Sequence, residues 1–378
     1  MRGRLPAVLL SVVAAWLLAA AAPSPPDSPS AASEPSSRAL DPAPLKGAAA
    51  TVHWDGQQFL QADAQGYVFL LRSDPLEVYP VTKSHDFGEP ISLEVSVSSG
   101  FPLDAAMSPD GRWAVNTGGK VHYFVDGREA TLPDLAPGLK PLFVGFLRGD
   151  PVVTVTPVPR GVAHNDRGIP LLLRARAGDD SWSAELSEPR HAADDPGMER
   201  AYRAALLLDA GEGRYFLARQ YSYRIELRRL GRDRPLEELR LGDAQPVLKK
   251  LSDAEKTRLL AEAKAASKSQ PAGGTVILPA GVPALLALGR RGTGGPLYAL
   301  LAAGIAGDRC ALDRIDWDER RVERVSLNFP CKGRVSLAAG RDGLFFAEWN
   351  GQEGRFFVSW SALDEAKWTT VKEAMFAP

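Results

Sequence analysis

The sequence predicts an all-β chain folded as a β-propeller of about six small sheets, and three observations predict it. Glycine (35) and proline (30) make up about a sixth of the 378 residues. That is too many breaks for a bundle of long helices, and it suits short strands joined by turns. A weak internal repeat runs along the chain. Within it, strands either alternate apolar and polar positions, as in Arg224-Ile225-Glu226-Leu227-Arg228, or are apolar throughout; these are the patterns of half-exposed and fully buried strands.

The first half of the repeat is a strand, a Gly/Asp-rich turn and a second strand. It reads as Thr51-Val52-His53-Trp54-Asp55-Gly56 leading into QQFLQA, LDAAMSPDGRWAVNTG from Leu103 and PLFVGFLRGDPVVTVTP from Pro141. It recurs as YRAALLLDAGEGRYFLARQY from Tyr202, PALLALGRRGTGGPLYALLAA from Pro283 and GRVSLAAGRDGLFFAEWNG from Gly333. Each copy is followed by a second, more polar hairpin. The first three are YVFLLRSDPLEVYPV from Tyr67, KVHYFVDGREATLP from Lys120 and PLLLRARAGDDSWSAEL from Pro170. The other three are YRIELRRLGRDRPLEELRLG from Tyr223, CALDRIDWDERRVERVSL from Cys310 and RFFVSWSALDEAKWTTV from Arg355. Two consecutive hairpins make a four-stranded sheet, and such sheets stack radially as blades.

Insertions at 83–100, 187–201 and 242–282 interrupt the repeat. The longest holds the one inserted helix that the sequence predicts. Ser252-Asp253-Ala254-Glu255 is a capping-box pattern, and Leu259, Leu260, Ala263 and Ala266 form a stripe. The helix reads as a lid on one face or as a docking element for another protein. A strand at 273–279 leaves seven blades possible. The ring is expected to close where the first ordered strand, near Thr51, meets the last sheet, which removes exposed edges.

Residues 1–22 read as a signal peptide. Arg2 and Arg4 precede an apolar run from Leu5 to Ala22 that ends in four alanines. An uncleaved anchor is the other reading, and Pro6 with the alanine-rich end favours cleavage. Residues 23–50, rich in Pro, Ser and Ala, read as a disordered spacer with little to bury. The propeller domain is expected over 51–378. Lys+Arg total 45 against 46 Asp+Glu, a net charge of -1, so no general attraction to nucleic acid follows. No membrane insertion is expected unless the N-terminal segment stays uncleaved. In an oxidising compartment the two cysteines, Cys310 and Cys331, are expected to pair as a disulfide.

Ser108-Pro109-Asp110-Gly111-Arg112-Trp113 resembles the turn of TolB-like and WD-type propellers, with Asp110-Gly111 as the tight hairpin turn. Near the end, Ser361, Asp364 and Trp368 are similar to the Asp-box turn of sialidase-like repeats, although Ala366 stands where that turn has Gly. Both resemblances imply a propeller, and neither implies an activity.

No nucleophile elbow, phosphate loop, dinucleotide motif or zinc helix is present, and no cofactor is expected. The candidate binding residues are loop residues. His164, Asp166 and Arg167 could hold an acidic ligand or relay a proton, or simply form a solvated loop. His191 with Asp194 and Asp195 offers a cation three ligands, too few without neighbours. Arg219, Arg224, Arg228, Arg229, Arg232 and Arg234 lie among Glu226, Glu237 and Glu238, so cross-strand ion pairs are expected. The tryptophans near the turns read as blade packing before sugar stacking. The function expected is a periplasmic or secreted binding or scaffold module for a protein or glycan. The alternative is a sialidase-like or lyase-like hydrolytic enzyme, which needs at least two carboxylates converging at the channel mouth.

Overall fold

A computed structural model describes residues 39–45, 58–73, 76–94, 104–158, 168–191, 196–241, 257, 283–302, 310–328, 335–348 and 355–378, apart from positions 118, 177 and 293. The chain is a six-bladed β-propeller. Strand β1 (Ala43–Pro44) is set aside until the ring closes. Blade 1 is β2 (Gln58–Ala62), β3 (Val68–Ser73), β4 (Leu76–Pro80) and β5 (Ile91–Ser92). Blade 2 is β6 (Asp104–Met107), β7 (Trp113–Asn116), β8 (Val121–Val125) and β9 (Arg128–Ala130). Blade 3 is β10 (Leu139–Leu147), β11 (Asp150–Pro157), β12 (Ile169–Arg174) and β13 (Ser183–Glu188).

Helix α1 (Pro196–Arg203) leads into blade 4, which is β14 (Ala205–Gly211), β15 (Arg214–Arg219), β16 (Arg224–Arg229) and β17 (Glu237–Leu241). Blade 5 is β18 (Leu285–Arg290), β19 (Leu297–Leu301), β20 (Ala311–Asp316) and β21 (Arg321–Ser326). Blade 6 is β22 (Val335–Ala339), β23 (Gly343–Glu348) and β24 (Arg355–Ser359), with β1 as its outer strand. Within each blade the strands are antiparallel and the earliest is innermost, β22 in blade 6.

The turns follow from local chemistry. Leu147 pairs with Asp150, Gly211 with Arg214 and Val125 with Arg128, so each of these hairpins turns in two residues. Arg148-Gly149, Glu212-Gly213 and Asp126-Gly127 all take positive φ at both positions, as a type I′ turn requires. In the turn that resembles WD-type propellers, the Arg112 amide donates to the Ser108 hydroxyl at 2.9 Å. There the Gly111 amide donates to the Ser108 carbonyl at 3.0 Å.

The core lies between blades. Apolar clusters fill all six junctions, for example Leu60, Leu70, Ala338 and Phe345 between blades 6 and 1. Tyr215, Leu217, Leu171 and Leu172 fill that between blades 3 and 4. Strands buried on both faces, such as β11 with Val152, Val153 and Val155 unexposed, are the apolar runs of the sequence.

Three expectations are corrected. Ring closure uses Ala43–Pro44, inside the stretch that composition assigned to the spacer. Ala43 pairs with Phe357, and the Leu45 amide donates to the Arg355 carbonyl at 2.7 Å. The last hairpin of the repeat does not form. After β24 the chain turns into helix α2 (Trp360–Asp364), because the Ser359 hydroxyl accepts from the Ala362 amide at 3.2 Å and caps it. Trp360 and Leu363 then bury one face of that helix. The segment beyond α2 runs backward around the ring. There β25 (Thr369–Thr370) adds a fifth strand to blade 5 and β26 (Ala374–Ala377) a fifth to blade 4.

In blade 1 the inner hairpin is β2–β3, one strand later than the repeat implied. The residues around Asp55-Gly56 and Thr51 lie outside the described residues. So do residues 1–38 and, except for Thr257, residues 242–282 with the predicted helix. Among the described residues the helices are two short ones, α1 and α2, at positions where the sequence suggested an insertion and a hairpin. Among the described residues, no helix is long and apolar enough to cross a membrane.

Candidate functional site

The six inner strands surround a central channel with a cavity of about 790 Å³, within the range of small-molecule pockets. Its waist is apolar, with Val144, Leu207, Leu288 and Leu337 on the wall. Polar residues collect at the two ends. At the end where the inner strands begin lie Gln58, Asp104, Gln220 and Ser336; at the end where the inner hairpins turn lie Asp63, Asp209, Arg290, Arg291 and Arg341.

The carboxylates of the channel are held by backbone amides. Asp63 Oδ1 accepts from the amides of Gln65 and Tyr67 at 2.9 and 2.8 Å, which shapes the blade 1 turn. Asp209 Oδ1 accepts from the Gly211 amide at 2.8 Å. Asp104 Oδ2 accepts from the Val144 amide at 2.8 Å and so stitches blade 2 to blade 3 across the channel edge. Ser336 does the same between blades 6 and 1, its hydroxyl accepting from the Leu60 amide at 3.0 Å. The last two bonds satisfy amides of the inner strands β10 and β2 from the adjacent blade.

The arginines at the hairpin end are held differently. Arg290 lies over the Phe216 ring at 5.5 Å and donates to the carbonyls of Gly295 and Ala210, each at 3.1 Å. Its partial burial, with the neighbouring Arg214 charge, lowers its pKa below the usual guanidinium range. Arg291 covers the Trp360 ring at 4.7 Å and reaches Asp364 at 3.5 Å. Arg341 lies over Tyr67 at 4.8 Å and donates to the Gln65 carbonyl at 3.4 Å. Sequence reasoning missed this trio. A signal was present, since the inner-hairpin turn regions of blades 2 to 6 each carry an arginine: Arg112, Arg148, Arg214, Arg291 and Arg341.

Of the candidates singled out by sequence, only His191 lies among the described residues. His164, Asp166, Arg167, Asp194 and Asp195 lie outside the described residues. His191 stacks on Tyr202 at 5.1 Å, and its Nε2 lies 3.3 Å from Glu188 Oε2, away from the channel lining. Among the described residues no three His, Cys, Asp or Glu side chains converge as a metal site.

The basic stretch of blade 4 is an ion-pair network, as expected. Arg219 pairs with Glu188, Arg224 with Glu238 at 2.8 Å, and Arg228 with Glu226, which is unexposed. The tryptophans pack: Trp182, Trp360 and Trp368 donate to the carbonyls of Pro133, Arg341 and Leu363 at 2.7, 2.9 and 2.8 Å. Cys310 is unexposed, and Cys331 lies outside the described residues.

No family model and no curated protein matches the chain. The structure is similar to solved propellers. One is a gluconolactonase from Xanthomonas campestris, at a TM-score of 0.44 and 12% identity, covering 87% of this chain and 98% of that one. Another is virginiamycin B lyase from Staphylococcus aureus, at 0.42 and 10%, covering 79% of each. A third is a putative exported protein from Bacteroides fragilis, at 0.44 and 10%, covering 78% of this chain and 80% of that one. At this distance the likeness is one of fold.

Proposed function

We propose that the protein is an exported binding or scaffold module, periplasmic or secreted, that holds a protein or glycan on its loop-bearing faces. The observation that supports this most is the state of the channel carboxylates. Asp63, Asp104 and Asp209 stand on three different blades, and each has an oxygen committed to backbone amides. A propeller that hydrolyses glycosides by the common two-carboxylate route needs a pair of carboxyl groups about 5 to 9.5 Å apart, one of them able to give up a proton. Carboxylates that accept backbone N–H bonds are stabilised in the charged form and serve the turn or the seam between blades. Export rests on the charged start and apolar run of residues 1–22.

The test compares the chain from residue 23 onward with Asp63→Asn, Asp104→Asn and Asp209→Asn variants on fluorogenic glycosides, a sialoside and gluconolactone. A glycan array and crosslinking to envelope proteins run in parallel. The expected result is saturable capture of a glycan or protein and no turnover above background in any variant. Turnover by the unaltered chain that any one of these substitutions abolishes would overturn the reading.

A further inference from the structure

We propose that the hairpin end of the channel is a small-molecule site for an amphiphilic carboxylate, with the anion at Arg290, Arg291 and Arg341 and the aliphatic body in the channel. The inference does not depend on which protein or glycan the faces hold. Arg290 ends β18 and Arg341 lies in the β22–β23 turn, so adjacent blades bring these cations to one mouth. Among the described residues neither has a carboxylate within ion-pair distance; both donate only to backbone carbonyls. Arg291 has one long contact, at 3.5 Å, with an Asp364 that is itself 56% exposed.

The acids of the same mouth offset two of its three positive charges and leave one over. Asp63 and Asp209 are turned to backbone amides, and the mouth carries three arginines against these two in a chain whose net charge is -1. Arg290 has Arg214 as a like-charged neighbour, with Asp318 and Asp209 acting the other way. Guanidinium groups match the planar fork of a carboxylate. Behind the mouth the wall includes Val144, Leu207, Leu288 and Leu337. It offers an alkyl chain apolar contact.

The experiment titrates the chain from residue 23 onward with decanoate, 1-decanol and decyltrimethylammonium below their micelle concentrations, read by calorimetry at low and high salt. Decanoate is expected to bind with one site per chain, at least about tenfold more tightly than decanol, and more weakly at high salt. Arg341→Gln, at an exposed position, is expected to weaken decanoate about tenfold or more and leave decanol unchanged. Arg290→Gln should do the same, with its melting temperature as the control for folding. Absence of saturable decanoate binding, equal affinity for decanol, or wild-type affinity in Arg341→Gln overturns the proposal.

Discussion

Arg148 of blade 3 lies across Gly213 of blade 4, and its guanidinium fills the space that a side chain at Gly213 would need. The relationship repeats one blade earlier, where Arg112 of blade 2 covers Gly149 of blade 3. Each pair joins one inner-hairpin turn to the next. The glycines are therefore needed twice, for their backbone conformation and for the close approach of an arginine.

Gly213 has a φ of +72°. An alanine there takes on left-handed strain of about 1 to 2 kcal/mol and must also displace Arg148. Gly178, with a φ of +89° and nothing near its missing Cβ, bears the strain alone. In urea denaturation Gly213→Ala is expected to lose clearly more stability than Gly178→Ala. Equal losses would mean that the arginine contact carries no weight.

A buried polar knot ties blade 4 to blade 5. The Tyr223 hydroxyl donates to Asp313 Oδ2 at 2.7 Å, and Arg324 binds both oxygens of the same carboxylate at 2.7 and 2.9 Å. Burial, then the Asp313 charge, pushes the Tyr223 hydroxyl well above its usual value, so it stays a donor. Tyr223→Phe is expected to cost about 1 to 2 kcal/mol. Asp313→Ala, which strands Arg324 and Tyr223 together, should cost about 3 to 5. Chemical denaturation of the two variants checks the order.

Glu188 gives the fold a defined acid sensitivity. Burial raises its carboxyl, but the charge and hydrogen bond of Arg219, with His191, outweigh burial and hold it below the ordinary value. A depressed folded pKa contributes stability above the unfolded glutamate value of about 4.3, and that contribution is lost as pH falls through the folded value. Glu188→Gln is expected to be less stable than the wild type at pH 7 by about 1 to 3 kcal/mol. The gap should close as both are titrated into acid. A gap that stays constant from pH 7 to pH 3 would remove Glu188 as its source.

Cys310 is fully buried at the start of β20. We propose its pairing with Cys331, which closes a loop of about 20 residues worth roughly 3 kcal/mol by the chain-entropy estimate. The chain produced in an oxidising compartment and then denatured is expected to take up no iodoacetamide before reduction and two equivalents after it, read by mass. Two equivalents before reduction would exclude the bridge.

The hairpins of blades 2 to 5 were legible because each strand carries its own period and each turn its own Gly or Asp. Two pieces were not. Ala43–Pro44 joins blade 6 through backbone bonds, and a Pro/Ala segment has no side-chain pattern to reveal that. The stretch RFFVSWSALDEAKWTTV reads as a hairpin, yet Ser359 caps a helix turn and Thr369–Thr370 is taken by blade 5. The arginine mouth was hidden for a different reason. Arg290 and Arg341 are remote in sequence, and only the circular arrangement brings them together.

The backward course of the C-terminal segment also decides where a foreign chain can attach. An outer strand with open amides and carbonyls is a template for intermolecular strand addition. On blades 4 and 5 that template is already occupied by Ala374–Ala377 and Thr369–Thr370. On blade 1 the outer strand Ile91–Ser92 is only two residues long, and on blade 2 Arg128–Ala130 is only three. Ser183–Glu188 of blade 3, six residues long and uncovered among the described residues, is the longest rim left. Any ordered end-on-end growth of this molecule is thereby steered to one side of the wheel.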